Sequence, residues 1–302
     1  MNISLIKEEL LKHGLKYIQT IGSGSYSTVF LCKSFKYNDF FAVKCIFIEK
    51  VKEYEYNALI HLNHPHIIRL YEVINEPDKQ YLVMEHCSNY TLKSRGKLNY
   101  DEFIKYSKQI LQALSFCHSK MIAHRDIKPD NILLDKYDRV KLADFGFAKQ
   151  FENDVSTSNE RVGSLMYMAP EIINGHRLFN PFQADVYALG ITFFYMVTEN
   201  MPFTAASNDD LKRFINFGNI DFTQYDDVDP EIQKMIMKMT SHNPKLRPSV
   251  DKLLKLPIYQ QSNANEQING PVLHQCNYSI CRPVAFCLSG NAVISRKKKI
   301  FV

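Results

Sequence analysis

The sequence lacks any hydrophobic run long enough to cross a membrane. Its longest nearly unbroken apolar run, ALGITFFYMV at 188–197, is about half the length that a transmembrane helix needs. The first residues, MNISLIKEELLKHGL, are charged and lack the apolar segment of a secretion signal. The seven cysteines form no CxxC pair. We therefore expect reduced thiols in an intracellular protein, either cytoplasmic or nuclear.

The body of the chain also lacks an excess of either charge. The net charge is +5, but the tail from Tyr259 onward carries five basic residues and one acid, which leaves 32 basic and 31 acidic residues before it. Four of the basic tail residues are consecutive: Arg296, Lys297, Lys298 and Lys299. A nucleic-acid surface on the body is therefore not expected. The basic run is interpreted as a solvated terminus, with a weak polyanion contact as the alternative.

The sequence instead contains a β-rich half followed by an α-rich half. An amphipathic helix is predicted over 3–12, with four apolar residues on one face: Ile3, Ile6, Leu10 and Leu11. Strand-like runs follow at 16–21, 27–34, 40–48, 67–74 and 80–85, interrupted by a helical stretch at 50–62. From about Leu92 the apolar residues recur at helical spacing. The pattern predicts an α+β fold of two lobes with a cleft between them.

Domain boundaries are expected where these patterns change. The prediction gives an N-terminal helical extension at 1–16, a small β-rich lobe at 17–87 and a larger helical lobe at 88–259. The remaining stretch, 260–302, is rich in Asn, Gln and Ser and has no apolar period. A flexible basic tail is expected there.

The strongest chemical signal is HRDIKPDNILLDKYDRVKLADFG, residues 124–146. Two strand-like runs flank the turn-like DKYDR, which predicts a hairpin. The hairpin brings Asn131 and Asp144 to the same end, and their oxygens suit Mg²⁺ that shares its sphere with phosphates. Asp126 and Lys128 lie just before the hairpin. Such a set can align a hydroxyl and neutralise a phosphoryl group in transfer, whereas the alternative is a polar turn with incidental acids.

This segment resembles the eukaryotic protein kinase family, serine/threonine type, and further motifs follow in that family's order over about 17–259. The resemblance implies a two-lobed protein kinase fold, with the ATP cleft between a β-rich N-lobe and an α-helical C-lobe. It also implies ATP and Mg²⁺ as cofactors and proteins as substrates. In this interpretation Asp126 is the catalytic base, Lys128 steadies the γ-phosphate, and Asn131 and Asp144 hold the metal.

The glycine-rich loop of the family matches IGSGSYSTVF, residues 21–30. Its glycines let backbone amides approach phosphates, and Ser27 stands where the family usually has a third glycine. Met84 matches the gatekeeper, the backbone of 85–87 matches the hinge that binds the adenine edge, and Leu133 matches the pocket floor. The residues expected to contact ATP are Ile21, Gly22, Ser23, Gly24, Val29, Ala42, Lys44, Met84, Glu85, Cys87 and Leu133.

Lys44 and Glu55 are predicted to form an ion pair. Ala42 and Lys44 lie on one face of a strand because side chains alternate. Glu55 lies within an apolar helical stripe, where an acid needs an inward partner, and Lys44 is the candidate. By resemblance this pair positions the ATP phosphates. Only eleven positions separate the two residues, fewer than is usual in the family, so the helix is expected to be trimmed at its start.

Other residues match family positions with structural or specificity roles. Glu171 is expected to pair with Arg247, and Asp185 to cap the backbone of the catalytic loop. Lys128 and the motif GSLMYMAPE indicate a serine/threonine kinase of the calmodulin-dependent/AMP-activated or autophagy-kinase branch. Two positions where basophilic relatives often carry glutamate hold Thr91 and Tyr195, so a strong demand for upstream arginines is not expected.

The stretch STSNERVGS, residues 156–164, falls in the activation segment of the family. Ser164 is expected to hydrogen-bond to Asp126 and Lys128. Glu160 stands where several related kinases carry a phosphorylated threonine, so we expect it to pair with Arg125 and Lys149. A solvated loop acid is the alternative. Two hydroxyl residues, Thr157 and Ser158, are candidate phosphorylation sites.

A different class of function is kept as an alternative. A pseudokinase-type scaffold or allosteric binding module would share the fold without the chemistry. The loss of a catalytic or metal-binding residue would favour it, but Lys44, Asp126, Asn131 and Asp144 are all present. An active enzyme is therefore the preferred prediction.

Overall fold

The computed structural model describes residues 3–24, 27–47, 54–87, 90–152, 158–175 and 178–260, with the side chains of 54–57 excepted. They belong to one compact unit, Met1–Ser262, and the second unit, Asn263–Val302, lies outside the described residues. Several predictions therefore concern residues outside this part of the chain: the start of the helix predicted over 50–62, the side chain of Glu55, Thr157, and the tail with its basic run Arg296, Lys297, Lys298 and Lys299.

The first part of the described chain is built on an antiparallel sheet. Helix α1 (Ile3–Lys12) precedes strands β1 (Leu15–Ser23), β2 (Ser27–Ser34) and β3 (Phe40–Phe47), helix α2 (Tyr54–His61), and strands β4 (Leu70–Asn75) and β5 (Lys79–Glu85). The five strands lie in the order β1-β2-β3-β5-β4. Each neighbouring pair is antiparallel.

One face of this sheet is apolar because alternate residues of each strand point to it. Its buried side chains join those of α1 in a single cluster: Ile6, Leu10, Leu15, Phe30, Cys32, Phe41, Val43, Cys45, Ile74, Tyr81 and Val83. The helix predicted over 3–12 is confirmed, but its buried stripe is narrower than predicted. Ile6 and Leu10 are buried, whereas Ile3 is 44% and Leu11 is 55% exposed, because only one i, i+4 pair reaches the sheet.

The second part is mainly helical, with short strand pairs beside the sheet. Its elements are α3 (Leu92–Arg95), α4 (Tyr100–Ser119), β6 (Ile122–Ala123), β7 (Ile132–Leu134), β8 (Val140–Leu142), β9 (Lys149–Gln150), α5 (Pro170–Ile173), α6 (Pro181–Thr198), α7 (Asn208–Phe217), α8 (Pro230–Met239) and α9 (Val250–Leu254). In the described ranges no helix combines the length and the apolar character that a bilayer crossing requires. The α+β order predicted from the sequence is confirmed.

Helix α6 accounts for the long apolar run. Fifteen of its 18 residues are buried, so the helix is apolar on all sides because it runs through the core. It begins at a cap, where the side chain of Asn180 accepts hydrogen bonds from the backbone of Phe182 and Gln183. Pro181 occupies the first helical position, where the missing N–H costs nothing.

The two parts of the described chain are joined next to the hairpin of β7 and β8. The backbone N–H of Ile68 donates to the carbonyl of Leu142 at 2.9 Å, and the N–H of Leu142 donates to the carbonyl of His66 at 2.8 Å. These bonds explain why β4 begins at Leu70 although the strand-like run begins at 67. The first residues of the run pair with β8 instead.

Candidate active site

The loop from His124 to Asn131 is held by one buried carboxylate. Asp185, on α6, accepts hydrogen bonds from the backbone N–H groups of His124 and Arg125, both at 2.8 Å. Nε2 of His118 lies 3.0 Å from the same carboxylate. Arg125 has a left-handed backbone, with φ of 66°. The predicted cap is therefore present, and it holds a conformation that is unfavourable for a side chain such as arginine.

Asp126 is the centre of the hydrogen-bond network at this loop. Nζ of Lys128 lies 2.7 Å from its Oδ2, and Nδ2 of Asn131 lies 3.0 Å from the same oxygen. Both the backbone N–H and Oγ of Ser164 lie 3.0 Å from Oδ1. Lys128 also donates to Oγ of Ser164 at 2.9 Å. The contacts expected for Ser164 are present, and they fix the orientation of the Asp126 carboxylate.

Glycine at 163 allows this close approach. Its φ is 103°, a backbone conformation that favours glycine, and an added Cβ would lie 2.5 Å from the carbonyl oxygen of Arg125. A larger residue would push the segment away from the loop. Gly163 thereby helps to place Ser164 against Asp126.

The hairpin of β7 and β8 brings Asn131 and Asp144 together. Ile132 pairs with Leu142, and the N–H of Ala143 donates to the carbonyl of Asn131 at 2.9 Å. Nδ2 of Asn131 is directed at Asp126, which leaves its Oδ1 as the acceptor for another group. Amide and carboxylate oxygens of this kind fit Mg²⁺, which is usually bound by one or two carboxylates together with phosphates. The donor set is therefore compatible with the metal that the resemblance implies.

Asp144 lies directly against Lys44. Nζ of Lys44 is 2.9 Å from Oδ1 of Asp144. Partial removal of water from the Asp144 carboxylate would by itself raise its pKa. The charge and the hydrogen bond of the Lys44 ammonium act in the opposite direction and together outweigh that effect, so the pKa of Asp144 lies below its ordinary value. Phe145 is fully buried, and its ring packs edge-on against His124 with centroids 4.7 Å apart. The segment after β8 is thus anchored in the core while Asp144 stays charged.

The register of the sheet brings several predicted ATP contacts together. Val29 is opposite Lys44, and Ala42 is opposite Met84, so each pair lies on the same face. These positions are only half-buried, in contrast to the fully buried opposite face. A Cβ at Gly22 would make only ordinary contact with Val29 at 3.6 Å. Packing within the described residues therefore does not require glycine at position 22. A glycine there leaves space in which a phosphate can approach the backbone.

Glu85, at the predicted hinge, is already bonded within the protein. Its carboxylate lies 2.8 Å from Nζ of Lys141, which is 8% exposed, and its backbone N–H donates to the carbonyl of Arg69 at 2.8 Å. The carboxylate and the backbone N–H of Glu85 therefore already have partners within the protein. The role of Lys141 was missed by the sequence reasoning, because nothing in the run VKL distinguishes a lysine that points inward.

The activation segment contains the charge cluster expected around Glu160. Nη1 of Arg125 lies 2.7 Å from Oε2 of Glu160, and Nζ of Lys149 lies 2.5 Å from Oε1. Lys149 and Arg125 lower the pKa of Glu160 from 4.5 to about 2. Ser158 is buried and its backbone pairs with Phe179, which the sequence did not predict.

Glu171 and Arg247 form the predicted ion pair. Two nitrogens of the Arg247 guanidinium lie 2.7 and 2.8 Å from the two carboxylate oxygens. The pair is buried, and Arg247 Nη1 also donates to the carbonyl of Gln183 at 2.9 Å. Bidentate geometry compensates for much of the cost of burying both charges. The pair ties the end of the activation segment to the last helices.

The described chain combines a five-stranded sheet with a helical part that is joined to it. A loop with Asp126, Lys128 and Asn131 lies beside the Asp-Phe-Gly run at 144–146. Together these features are those of a protein kinase. Residues 15–259 match the family model described as protein kinase domain. Because this match covers most of the sequence, the chain belongs to the protein kinase family. The family interpretation drawn from the motifs is confirmed.

Curated relatives include plant and mouse kinases. CBL-interacting protein kinase 5 of Oryza sativa subsp. japonica is 29% identical over 268 residues, which are 84% of this chain and 58% of that protein. CBL-interacting serine/threonine-protein kinase 15 of Arabidopsis thaliana is 30% identical over 248 residues, 78% of this chain and 58% of that protein. Sperm motility kinase 2B of Mus musculus is 34% identical over 249 residues, 80% of this chain and 50% of that protein. The chain thus spans about half the length of the curated relatives it matches.

Proposed function

We propose that this chain is an active Mg²⁺- and ATP-dependent kinase that phosphorylates serine and threonine hydroxyls of proteins. The observation that carries the proposal is the network on Asp126, whose carboxylate is oriented by Lys128, Asn131 and Ser164 together. A scaffold that only binds would not need an aspartate so fixed. Membership of the kinase family supports the use of ATP and of protein substrates.

The proposed mechanism assigns one role to each charged group of the site. Asp126 would orient the substrate hydroxyl and accept its proton after that hydroxyl replaces one of the donors that its carboxylate now has, Lys128, Asn131 or Ser164. Lys128, held between Asp126 and Ser164, would place a positive charge beside the transferring group. Asn131 and Asp144 would hold the metal of Mg-ATP, which supplies charge neutralisation at the phosphates. Lys44, together with Glu55, would position those phosphates.

The remaining nucleotide contacts belong to the same proposal. The adenine would lie between the sheet residues Val29 and Ala42 and the floor residue Leu133, with Met84 and Cys87 at the hinge. The glycine-rich residues would cover the phosphates: Ile21, Gly22, Ser23 and Gly24. Division of the catalytic domain at about 87 into two lobes is part of this interpretation.

Phosphate transfer to a generic protein acceptor tests the proposal. The purified chain should transfer labelled phosphate from ATP in a Mg²⁺-dependent manner, and Asp144→Ala should not. Removing the carboxylate takes away a charged ligand that this metal requires. Equal, background-level signals from both proteins would favour the scaffold interpretation over an enzyme.

We further propose that Glu160 supplies a permanent charge to Arg125 and Lys149, so that basal activity needs no upstream kinase. The ion pairs of Glu160 with both cations support this. One carboxylate brings about −1, where a phosphate brings nearly −2, so phosphorylation of Thr157 would strengthen the contact. Ser158 is buried, so its phosphorylation would first require this segment to open. Phosphatase-treated wild type should stay active, and Glu160→Ala should lose activity. Full activity of Glu160→Ala, with loss in Thr157→Ala/Ser158→Ala, would contradict the idea.

A further inference from the structure

We propose that Lys93 neutralises Asp130 beside the catalytic loop and thereby keeps this kinase from selecting substrates with a basic residue next to the target hydroxyl. This inference rests on the proposed function and adds a substrate class to it. Nζ of Lys93 lies 2.9 Å from Oδ1 of Asp130. Both side chains are largely accessible, at 59% and 40% exposure, so a substrate can reach them.

Asp130 is close to the reacting groups because of its place in the chain. It lies in a short 3₁₀ turn, Pro129–Asn131, between Lys128 and Asn131, and both of these residues contact Asp126. The side chain of Asp130 extends instead toward α3 and Lys93. An acid at this position is therefore available to a residue that neighbours the phosphorylated hydroxyl in a bound substrate.

Lys93 is presented from a fixed position. Helix α3 begins at a capping box, in which Thr91 and Ser94 bond to each other's backbone N–H groups, and Leu92 is buried. The hydroxyl of Tyr195 donates to the carbonyl of Lys93 at 3.3 Å. The short helix is thus held at both its start and its middle, so that the Lys93 side chain is directed to the loop.

The neighbouring cations have other partners. Arg95 pairs with Glu102, and Nζ of Lys97 lies 2.5 Å from Oδ2 of Asp227. Tyr167 also lies close to Asp130. Burial is the main cause that raises the pKa of the Tyr167 hydroxyl, and the negative charge of Asp130 is the next. Of Lys93, Arg95 and Lys97, Lys93 is therefore the one that pairs with Asp130.

An exposed ion pair of this kind is weak, so it neutralises charge without blocking the site. In the wild type an arginine of the substrate adds little binding energy, because Asp130 is already paired with Lys93. Removing Lys93 should expose Asp130 and attract arginine. Removing the Asp130 charge should leave Lys93 unbalanced and attract glutamate. The two single variants should therefore shift the charge preference in opposite directions.

A positional peptide series tests this, with arginine, alanine or glutamate placed in turn at each position around one serine. The readout is the ratio of kcat/KM for each charged peptide to that for the alanine peptide. Lys93→Ala should raise the arginine ratio about threefold at one position, equivalent to about 0.7 kcal/mol. Asp130→Asn should raise the glutamate ratio at that same position. The double variant should lose both preferences, and the effects should lie mainly in the KM for the peptide.

Lys97→Ala is the matched control, because Lys97 lies nearby but is paired with Asp227. It should leave both ratios as in the wild type. Lys93→Gln provides the same comparison if Lys93→Ala does not fold. The inference is overturned if the wild type already prefers arginine at that position, or if the Lys93 and Asp130 variants keep wild-type ratios. Absence of transfer to every peptide by folded wild type would instead overturn the proposed function itself.

Discussion

Arg125, Asp126 and Lys128 belong to one loop, yet distant residues hold each of their side chains. Glu160 binds Arg125, and Ser164 binds both Asp126 and Lys128. Such contacts depend on the fold, since the partners are more than 30 positions away in the chain. At the residue scale, the orientation of the Arg125, Asp126 and Lys128 side chains therefore depends on the segment that carries Glu160 and Ser164.

The charge of Glu160 should make stability depend on pH. Its pKa in the folded chain is about 2, below the ordinary 4.5, because of Lys149 and Arg125. A lowered pKa contributes stability that is fully present above about pH 4.5 and is lost as the pH falls toward about 2. The free energy of unfolding of wild type should therefore exceed that of Glu160→Gln at neutral pH. Urea titrations at several pH values should show this difference narrowing below about pH 4.5.

A difference that stays constant from about pH 6 to about pH 3 would contradict this assignment. Asp209→Asn is a suitable control, since Asp209 pairs with Lys212 on the exposed surface of α7. Surface pairs of this type contribute little to stability. Its effect should be small across the whole range.

At the scale of elements, helix α1 is attached to the sheet by both apolar and charged contacts. Ile6 and Leu10 are buried in the cluster of the sheet. Glu9 lies 3.0 Å from Nζ of Lys79 and accepts a hydrogen bond from the hydroxyl of Tyr81 at 2.5 Å. Tyr81 belongs to β5, the strand that leads to the hinge. The helix therefore supports the strand that carries Met84 and Glu85.

Two adjacent leucines of α1 provide a matched test of this attachment. Leu10 is fully buried, whereas Leu11 is 55% exposed. Leu10→Ala should lower the free energy of unfolding by about 2–5 kcal/mol, because it removes apolar contacts and leaves a cavity. Leu11→Ala should change it by less than about 0.5 kcal/mol. Chemical denaturation of both variants measures the difference, and equal effects would show that α1 does not pack as described.

For helix α1, the sequence predicted the helix but not the set of residues that it buries. The period of apolar residues predicted α1 correctly, but not which of its leucines meets the sheet. That choice depends on where the sheet lies, which local spacing does not encode. The strand-like run at 67–74 was shortened for a similar reason, because Ile67 and Ile68 pair with Leu142.

At the scale of the whole molecule, the motifs predicted the family, the fold and the contacts of Ser164 with Asp126 and Lys128. The hairpin argument correctly brought Asn131 and Asp144 to one end, because strand pairing follows from a short turn. The ion pair of Lys141 with Glu85 and that of Lys93 with Asp130 were not predicted. Each joins elements whose relative positions only the folded chain determines.

We propose that Asp126 acts as the base in phosphate transfer to serine or threonine. A single-turnover assay with Mg-ATP and a protein substrate, followed by identification of the phosphorylated amino acid, tests it most directly. Wild type should form phosphoserine or phosphothreonine, and Asp126→Asn should be slower by about 10²–10⁴-fold. Asp138→Asn, in the turn between β7 and β8, should retain the wild-type rate. An Asp126→Asn variant that transfers phosphate as fast as wild type would exclude Asp126 as the base.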